Sequence, residues 1–213
     1  MQTIPLRKIN FFVPLYKFDS YGIKLFVEAI LQIFVVLSKF MASKFEGHIR
    51  FAKESDIPSI RQIYDTHTSD ISNVVSFEEE TPSIAELTNR WKDITHCNLP
   101  FLVCDLHNNV VGYAYATKFR SRAAYRHTVE ESVYVSNQHQ GCGIGKALLF
   151  SIIEECKKQN VRSIIAVLGS EEDNPGSVIL HRKVGFQEVG TLHDVGYKNQ
   201  KWIDRLIMEY IIQ

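Results

Sequence analysis

A glycine-rich segment, residues 140–146, is the part of this 213-residue chain whose composition most directly suggests chemistry. It reads Gln-Gly-Cys-Gly-Ile-Gly-Lys and lies between a β-branched stretch that ends at Val135 and a long apolar-periodic stretch. A tight turn that opens a helix leaves backbone N–H groups unpaired at the positive end of the helix dipole, and glycine lets the backbone approach an anion closely. The segment therefore predicts a pyrophosphate site, with Lys146 adding a positive charge.

Several interpretations of this segment compete. A Walker loop requires Gly-Lys-Ser/Thr, but Gly145-Lys146 is followed by Ala147. A dinucleotide-binding loop opens a βαβ unit, whereas this loop follows several predicted strands. A third possibility is the pattern Gln/Arg-x-x-Gly-x-Gly/Ala, which Gln140, Gly143 and Gly145 match. A turn that merely starts a helix also stays open on this segment alone.

Two adjacent acids, Glu130 and Glu131, lie in the predicted strand before the loop. Neighbouring strand residues face opposite sides of a sheet, so one acid must point to the apolar side that the strand's valines share. We expect a β-bulge or a functional pocket to relieve this conflict. A structural ion pair of Glu130 with Arg120, Arg122 or Arg126 is the alternative.

The elements that position these residues follow from hydrophobic periodicity and from cap and turn residues. Ser83-x-x-Glu86 is a capping box, and residues 73–77 are predicted to be a loop. Predicted strands cover residues 48–53, 101–106, 110–117, 128–135, 162–168, 186–197 and 201–212, with a hairpin at His107-Asn108-Asn109. The first predicted helix is capped by Ser55 or Asp56, and its apolar face consists of Ile57, Ile60, Ile63 and Tyr64. Three further helices are predicted at residues 83–96, 143–159 and 174–183, and Gly185 ends the last of them. The order predicts an α/β fold with a mixed sheet and helices on both faces.

Composition and charge limit the class of protein. The chain is 45% hydrophobic and 23% charged, with zero formal net charge. Residues 48–213 carry 18 basic and 21 acidic residues, and such an acidic domain lacks the basic footprint that nucleic-acid binding requires. The four cysteines form no Cys-x-x-Cys motif, so we interpret them as reduced thiols of an intracellular protein.

Residues 1–47 differ from the rest and are predicted to be an extension, with residues 48–213 as one domain. Lys24 and Glu28 interrupt its apolar stretch, and the uncharged run at 29–38 is half the roughly 20 residues of a membrane span. Met41 directly precedes the first predicted strand region. An upstream start or disordered lead, a membrane or interfacial anchor through residues 1–40, and a targeting peptide all remain open.

The chain resembles the phosphinothricin / methionine-sulfone N-acetyltransferase branch of the GNAT superfamily, from about residue 49 to 211. The resemblance implies the GNAT fold with a mostly antiparallel sheet, acetyl-CoA as co-substrate, a small-molecule amine acceptor and usually a cytoplasmic homodimer. A membrane-associated or mitochondrial location stays open because of residues 1–47. The matching stretches are residues 77–80, 111–114, 125–130, 132–135, the glycine loop, 180–181, 185–186, 195–196 and 202–204.

The resemblance also implies residue roles for the co-substrate. Backbone groups of the strand before the loop bind the pantetheine, and one N–H polarises the thioester carbonyl. Asn174 bonds the pantetheine amide, or it caps a helix, or it does both. The implied acetyl-CoA residues are Val133, Tyr134, Val135, Gln140, Gly141, Cys142, Gly143, Ile144, Gly145, Lys146, Asn174 and Ser177.

For catalysis the resemblance implies Glu130 as general base for the substrate ammonium and His181 as the acid that protonates the departing thiolate. A packing role is the alternative for His181. The arginine-rich loop suits a carboxylate or phosphinate, or is a solvated surface loop. We predict no metal site. The implied acceptor-binding residues are Phe77, Arg120, Ser121, Arg122, Tyr125, Glu130, Glu131 and Ser132.

Some positions depart from the pattern of the branch. Asn199-Gln200 and Arg205 stand where apolar residues or glycine are usual in the last hairpin, which tends to line the dimer interface and the acceptor site. Two other functions remain open: an acetyltransferase for a different amine, such as a polyamine or a protein N-terminus, and a CoA-binding module without turnover.

Overall fold

The computed structural model describes residues 47–68 and 76–213. The predicted extension therefore lies outside the described residues except for Gly47, and so does most of the predicted loop at 73–77. No helix in the described ranges is long and apolar enough to cross a membrane.

In the part of the chain that the structure describes, seven strands form one sheet in the order β1-β2-β3-β4-β5-β7-β6. All neighbouring pairs are antiparallel except β4 and β5, which are parallel. The mixed, mostly antiparallel sheet of the sequence prediction is therefore confirmed. The strands are β1 His48–Phe51, β2 Phe101–Leu106, β3 Asn109–Lys118, β4 Thr128–Val135, β5 Ser163–Leu168, β6 Gln187–Lys198 and β7 Lys201–Ile211.

Within the described residues, four α-helices cover the two faces of this sheet. The strands alternate between two apolar clusters: Leu102 and Cys104 of β2 pack with one helix pair, while Phe101 and Val103 pack with the other. This alternation follows from the period of two in a strand. The helices are α1 Ile57–Thr68 and α2 Ile84–His96 on one face, and α3 Ile144–Lys158 and α4 Pro175–Val184 on the other.

Local signals set the ends of these elements. The Ser83 side chain accepts a hydrogen bond from the Glu86 N–H and caps α2, as predicted. His107 and Asn108 have φ of 52° and 65°, which form the two-residue turn between β2 and β3. Two consecutive left-handed residues match the right-handed twist of a hairpin. Gly185 ends α4 with φ of 111°, a conformation that glycine adopts without steric cost.

Candidate active site

β4 and β5 separate part of the way along their length. Their ladder pairs residues 128–131 of β4 with residues 163–166 of β5 and extends no further, whereas β4 continues to Val135 and β5 to Leu168. The separation opens a gap between two central strands of the sheet. The backbone of β4 beyond Glu131 therefore has no strand partner on its β5 side.

The peptide groups of Val133 and Val135 face this gap. At either end of β4, Phe119 N–H donates to Thr128 O and Ser136 N–H donates to Val111 O, so the even-numbered residues bond towards β3. Because successive peptide groups of a strand point to opposite edges, the odd-numbered ones point towards β5. Past the last paired residue the Val133 peptide group and the Val135 N–H have no strand partner on that side, while the Val135 carbonyl lies 3.2 Å from His67 Nε2. The pantetheine contacts that the resemblance implies for these two valines stay a prediction.

The glycine loop lies at the end of β4 and leads into α3. Gly141 and Gly143 have φ of 76° and 84°, and a Cβ added to either would meet no atom within 4 Å. Their backbone is thus open to an approaching group and held in a conformation that favours glycine. At Gly145 the reason differs, because a Cβ there would lie 2.9 Å from Leu180 Cδ2 of α4. Glycine therefore lets α3 approach α4 closely.

The side chains of this loop contribute less than its backbone. Gln140 Nε2 donates to Asn137 Oδ1 at 3.1 Å, Ile144 is buried, and the Cys142 side chain is exposed. Lys146 Nζ lies 5.6 Å from the centroid of the Phe150 ring, within reach of the loop by rotation about its side-chain bonds. The loop presents N–H groups at the start of a 15-residue helix, which is a favourable site for an anion.

Asn174 caps α4 on the other side of the gap. Its Oδ1 accepts a hydrogen bond from the Ser177 N–H at 3.2 Å. The cap uses the oxygen only, so the side-chain amide nitrogen can donate to another group. The two roles predicted for Asn174 are therefore compatible.

Glu131, and not Glu130, is the acid that points into the core. Its Oε1 lies 2.7 Å from His181 Nε2, and the side chains of both residues are at most 1% exposed. His181 Nδ1 lies 2.8 Å from Ser177 O, and a carbonyl can only accept, so Nδ1 carries a hydrogen. β4 pairs with β3 without a bulge. The ion pair relieves the conflict for which the sequence suggested a bulge or a pocket.

This pair changes two predicted roles. Burial lowers the pKa of His181, but the hydrogen bond and charge of Glu131 outweigh it, and the net pKa is raised. Both ring nitrogens have partners inside the protein and the ring has no exposed surface. The arrangement favours the packing alternative for His181 over the role of acid. It also buries Glu131, which the resemblance implied as an acceptor-binding residue.

Glu130 lines a cavity of about 320 Å³ on the opposite face of the sheet. Burial raises the pKa of its carboxyl, the charge of Glu131 raises it further, and Arg120 opposes both. A carboxyl with a raised pKa beside a cavity is suited to accept a proton. The other lining residues are Ile60, Tyr64, Leu87, Arg90, Asp93, Ile94, Phe101, Tyr113, Tyr115, Thr117 and Ser132.

The predicted acceptor residues are only partly brought together. Ser132 lines the cavity with Glu130. Arg120, Ser121, Arg122 and Tyr125 are exposed on the loop between β3 and β4 and are not among the residues that line it. Of these, Arg120 is close enough to act on the Glu130 pKa, and its guanidinium stacks 5.1 Å from the Phe119 ring centroid.

A layer of tyrosines beside the cavity was not predicted. Tyr134 stacks on Tyr113 with centroids 4.9 Å apart, and Tyr64 of α1 lies 5.1 Å from Tyr134. His67 also contacts Tyr134, and its Nε2 lies 3.2 Å from Val135 O. Burial lowers the pKa of His67, so the neutral ring donates to that carbonyl. Tyr113 and Tyr115 are two positions apart in β3 and so lie on the same face of the sheet. This spacing was the sequence signal from which the tyrosine layer could have been predicted.

The β6–β7 hairpin holds Phe77 in place. Lys198 Nζ donates to Ser76 O at 2.9 Å and to Glu78 O at 2.7 Å, which fixes the backbone on both sides of Phe77. A Cβ at Gly196 would lie 2.2 Å from Phe77 Cζ, so the ring occupies the space that a side chain would need. Phe77 itself is 46% exposed. Within residues 47–68 and 76–213, no three His, Cys, Asp or Glu side chains are grouped as metal ligands.

Comparison with known proteins identifies this arrangement. Residues 49–207 match the acetyltransferase (GNAT) domain family. A phosphinothricin N-acetyltransferase of Alcaligenes faecalis is 37% identical over 161 residues, which cover 76% of this chain and 80% of that protein. An L-methionine sulfoximine/L-methionine sulfone acetyltransferase of Pseudomonas paraeruginosa is 35% identical over 165 residues, covering 76% of this chain and 92% of that protein.

A solved structure agrees with these relatives. The phosphinothricin acetyltransferase of Sinorhizobium meliloti, in complex with acetyl-CoA, superposes with a TM-score of 0.73 and 38% identity over 78% of this chain and 89% of that chain. The predicted fold class and the resemblance are both confirmed. The chain belongs to the GNAT acetyltransferase family, in the group that contains the phosphinothricin and methionine sulfone N-acetyltransferases.

Proposed function

We propose that this chain transfers an acetyl group from acetyl-CoA to the amino group of a small amino-acid-like acceptor, of the kind represented by methionine sulfone, methionine sulfoximine and phosphinothricin. One observation carries the proposal. Glu130, with a raised pKa, lines a cavity beside the point where β4 leaves β5. A proton acceptor and an open strand edge thus meet at one place on β4.

The residues present suit acetyl-CoA. The open glycine loop at the start of α3 can hold the pyrophosphate through backbone N–H groups. The Val133 peptide group and the Val135 N–H can bond the pantetheine in the gap, and the Asn174 amide can donate to it from the β5 side. When bound, acetyl-CoA supplies a thioester that the acceptor's amine attacks directly.

Glu130 prepares the acceptor for this attack. An amine reacts only in its neutral form, and the Glu130 carboxylate accepts the ammonium proton, directly or through one water. An α-amine has an ordinary pKa near ~8, so part of it is already neutral at cellular pH. We therefore assign Glu130 a contribution of about 10²-fold, at the lower end of general base catalysis.

We assign His181 a positioning role. Its bond to Glu131 compensates the charge of that buried acid, and the two residues tie α4 to β4 directly next to Glu130. The direction of the Glu130 side chain depends on this part of β4, because the two acids occupy consecutive positions. His181 thus acts through the strand and not on the acceptor.

We further propose a homodimer that uses β6. This strand is at the edge of the sheet, and its residues 187–195 are all exposed. Val189, Leu192 and Val195 are exposed apolar side chains on it, and Trp202 of β7 is 65% exposed. Apolar residues on an open edge favour association. Light scattering on the full chain should give twice the monomer mass of 24.5 kDa. Leu192→Lys should lower the measured mass to that of the monomer. A monomeric wild type would contradict the dimer.

The function is tested by acetyl-CoA turnover, followed as thiol release, with the full chain. The acceptors are methionine sulfone, methionine sulfoximine, phosphinothricin and the proteinogenic amino acids, with spermidine as the polyamine control. Turnover on the amino-acid analogues that falls in Glu130→Gln supports the proposal. Saturable CoA binding without turnover on any amine contradicts it and favours a binding module. Turnover on spermidine alone points to a different acceptor class.

A further inference from the structure

Arg205 of β7 is a buried cation that the reaction described above does not use. The residue is 4% exposed, and its Nη1 is buried without a hydrogen-bond partner among the described residues. Its guanidinium carbon lies 3.7 Å from the centroid of the Phe77 ring. A buried guanidinium N–H that bonds nothing is unfavourable. The arrangement is therefore one that a ligand with an acceptor atom would complete.

Arg205 has a second cation, Lys198, close to it. Lys198 is close enough that the positive charge of Arg205 lowers its pKa, after the larger effect of burial. Burial also lowers the pKa of Arg205 itself to about 10, against the opposing effects of Tyr134 and Asp173. Arg205 thus stays protonated near neutral pH. Glu78 and Glu79 act on Lys198, and Asp173 acts on Arg205. The buried Nη1 of Arg205 without a partner, and not an excess of charge, therefore favours an anion at this place.

Arg205 lies at the open end of the gap between β4 and β5. A Cβ built at Gly169, directly after β5, would be 3.6 Å from Arg205 Nη1. Tyr134, near the end of β4, is close enough to oppose the effect of burial on the pKa of Arg205. Phe77, which stacks on it, lies in the loop before α2 and remains half exposed. The Nη1 atom is therefore next to the strand ends where acetyl transfer would occur.

Arg120 and Arg205 act on opposite ends of the same strand segment. The charge of Arg120 acts on Glu130, and Arg205 is near Tyr134. Tyr134 lies four positions after Glu130 in the strand, which corresponds to roughly 13 Å. In an amino acid the α-carboxylate is attached to the same carbon as the amine, so it stays close to Glu130 and within reach of Arg120. Arg205 is then left to the acceptor's side chain.

We infer that Arg205 binds an anionic group on the acceptor's side chain, so that the enzyme prefers amino acids with a second negative charge to neutral ones of the same shape. The inference deepens the proposed function and rests on it. A guanidinium fork bonds a carboxylate or a phosphinate through two parallel N–H groups. Phe77 holds the guanidinium plane by stacking.

A matched pair of acceptors tests this. Phosphinothricin carries a phosphinate where methionine sulfoximine, of nearly the same shape, is neutral. In the full chain, kcat/KM should be higher for phosphinothricin. Arg205→Gln should lower that preference about 10- to 100-fold, the effect of one charge-assisted hydrogen bond. KM for acetyl-CoA should stay within about 2-fold of wild type. Lys158→Gln, which removes a charge at the far end of α3, is the control and should leave kcat/KM unchanged for both acceptors.

The outcomes separate the two proposals. If the folded, CoA-binding wild type acetylates neither acceptor, the proposed function fails and this inference with it. If it acetylates both and Arg205→Gln lowers both equally, Arg205 is structural and only the inference fails. Arg205→Met keeps the length and the stacking on Phe77 without the charge, and serves where the glutamine variant does not fold. Thermal unfolding of each variant verifies the fold, and an unchanged preference in both variants overturns the inference.

Discussion

The Nε2 atom of His181 lies 2.7 Å from Glu131 Oε1 in the interior of the protein, with neither side chain more than 1% exposed. His181 belongs to α4 and Glu131 to β4, so the pair joins a helix to a central strand. Glu131 directly follows Glu130, which lines the cavity on the other face. The pair therefore fixes the strand that carries the proposed base.

Removing one partner of this pair should destabilise the fold. Glu131→Gln or His181→Ala leaves a buried group without its counter-charge, at a cost of about 3–5 kcal/mol. Chemical denaturation measures it. His193 and Asp204 provide a matched control, since they form a pair with the same 2.7 Å separation but with the histidine 75% exposed, and His193→Ala should change little. Equal effects at the two sites would contradict the role of burial.

The same pair should make stability depend on pH. The pKa of His181 is raised in the folded state, above an unfolded value near ~6.5. Its contribution is fully present below the unfolded pKa and is lost as the pH rises through the folded pKa. Unfolding free energies of wild type and His181→Ala, measured from pH 5 to 9, should converge towards the alkaline side. A difference that is constant with pH would show that the pair is not ionic.

Glu130→Gln should lower kcat/KM for the acceptor about 100-fold with little change in the KM for acetyl-CoA. Burial raises the pKa of Glu130 above its ordinary value of 4.5. In the wild type, kcat/KM should fall as the pH drops through that raised pKa, because a protonated carboxyl accepts no proton. The variant should lack this acidic limb and recover part of its activity at high pH, where the amine is neutral without a base. An unchanged pH profile would exclude Glu130 as the base.

Short-range signals in the sequence were sufficient for much of the fold and for the local structure of the glycine loop. The glycine loop, the Ser83 cap and the His107-Asn108 turn are each set by a few consecutive residues, and they lie where they were predicted. Alternation in β4 also showed that one of the two acids had to face the core. These features depend on backbone geometry that neighbouring residues determine.

Contacts between residues that are far apart in the sequence could not be predicted from such signals. Glu131 and His181 are 50 positions apart, and only the packing of α4 on the sheet brings them together. Lys198 bonds to Ser76 O across 122 positions. The stacking of Arg205 on Phe77 likewise depends on where the last hairpin lies against the loop before α2. The surroundings of Glu130 and Phe77 depend on such contacts, and local patterns in the sequence did not predict them.

Gly143→Ala should weaken acetyl-CoA binding. Gly143 has φ of 84°, where a side chain is strained by about 1–2 kcal/mol. Relief of the strain would rotate the loop N–H groups away from the pyrophosphate, so KM for acetyl-CoA should rise about 10-fold with an unchanged acceptor KM. Gly176→Ala is the control, because Gly176 lies in α4 with nothing near its Cβ position, and alanine favours helix there. Equal acetyl-CoA KM values for Gly143→Ala and wild type would contradict the assignment of the loop.

Gly196→Ala should affect the acceptor and spare the co-substrate. The added Cβ would lie 2.2 Å from Phe77 Cζ and 2.7 Å from its Cε1, so the ring must move. Because Phe77 stacks on Arg205, its displacement should disturb the proposed acceptor contacts, and we expect the acceptor KM to rise about 10-fold, equivalent to about 1.4 kcal/mol. Gly190→Ala in the same strand meets nothing within 4 Å and is the matched control. A rise in the acetyl-CoA KM in Gly196→Ala, with the acceptor KM unchanged, would place Phe77 on the co-substrate side of the site.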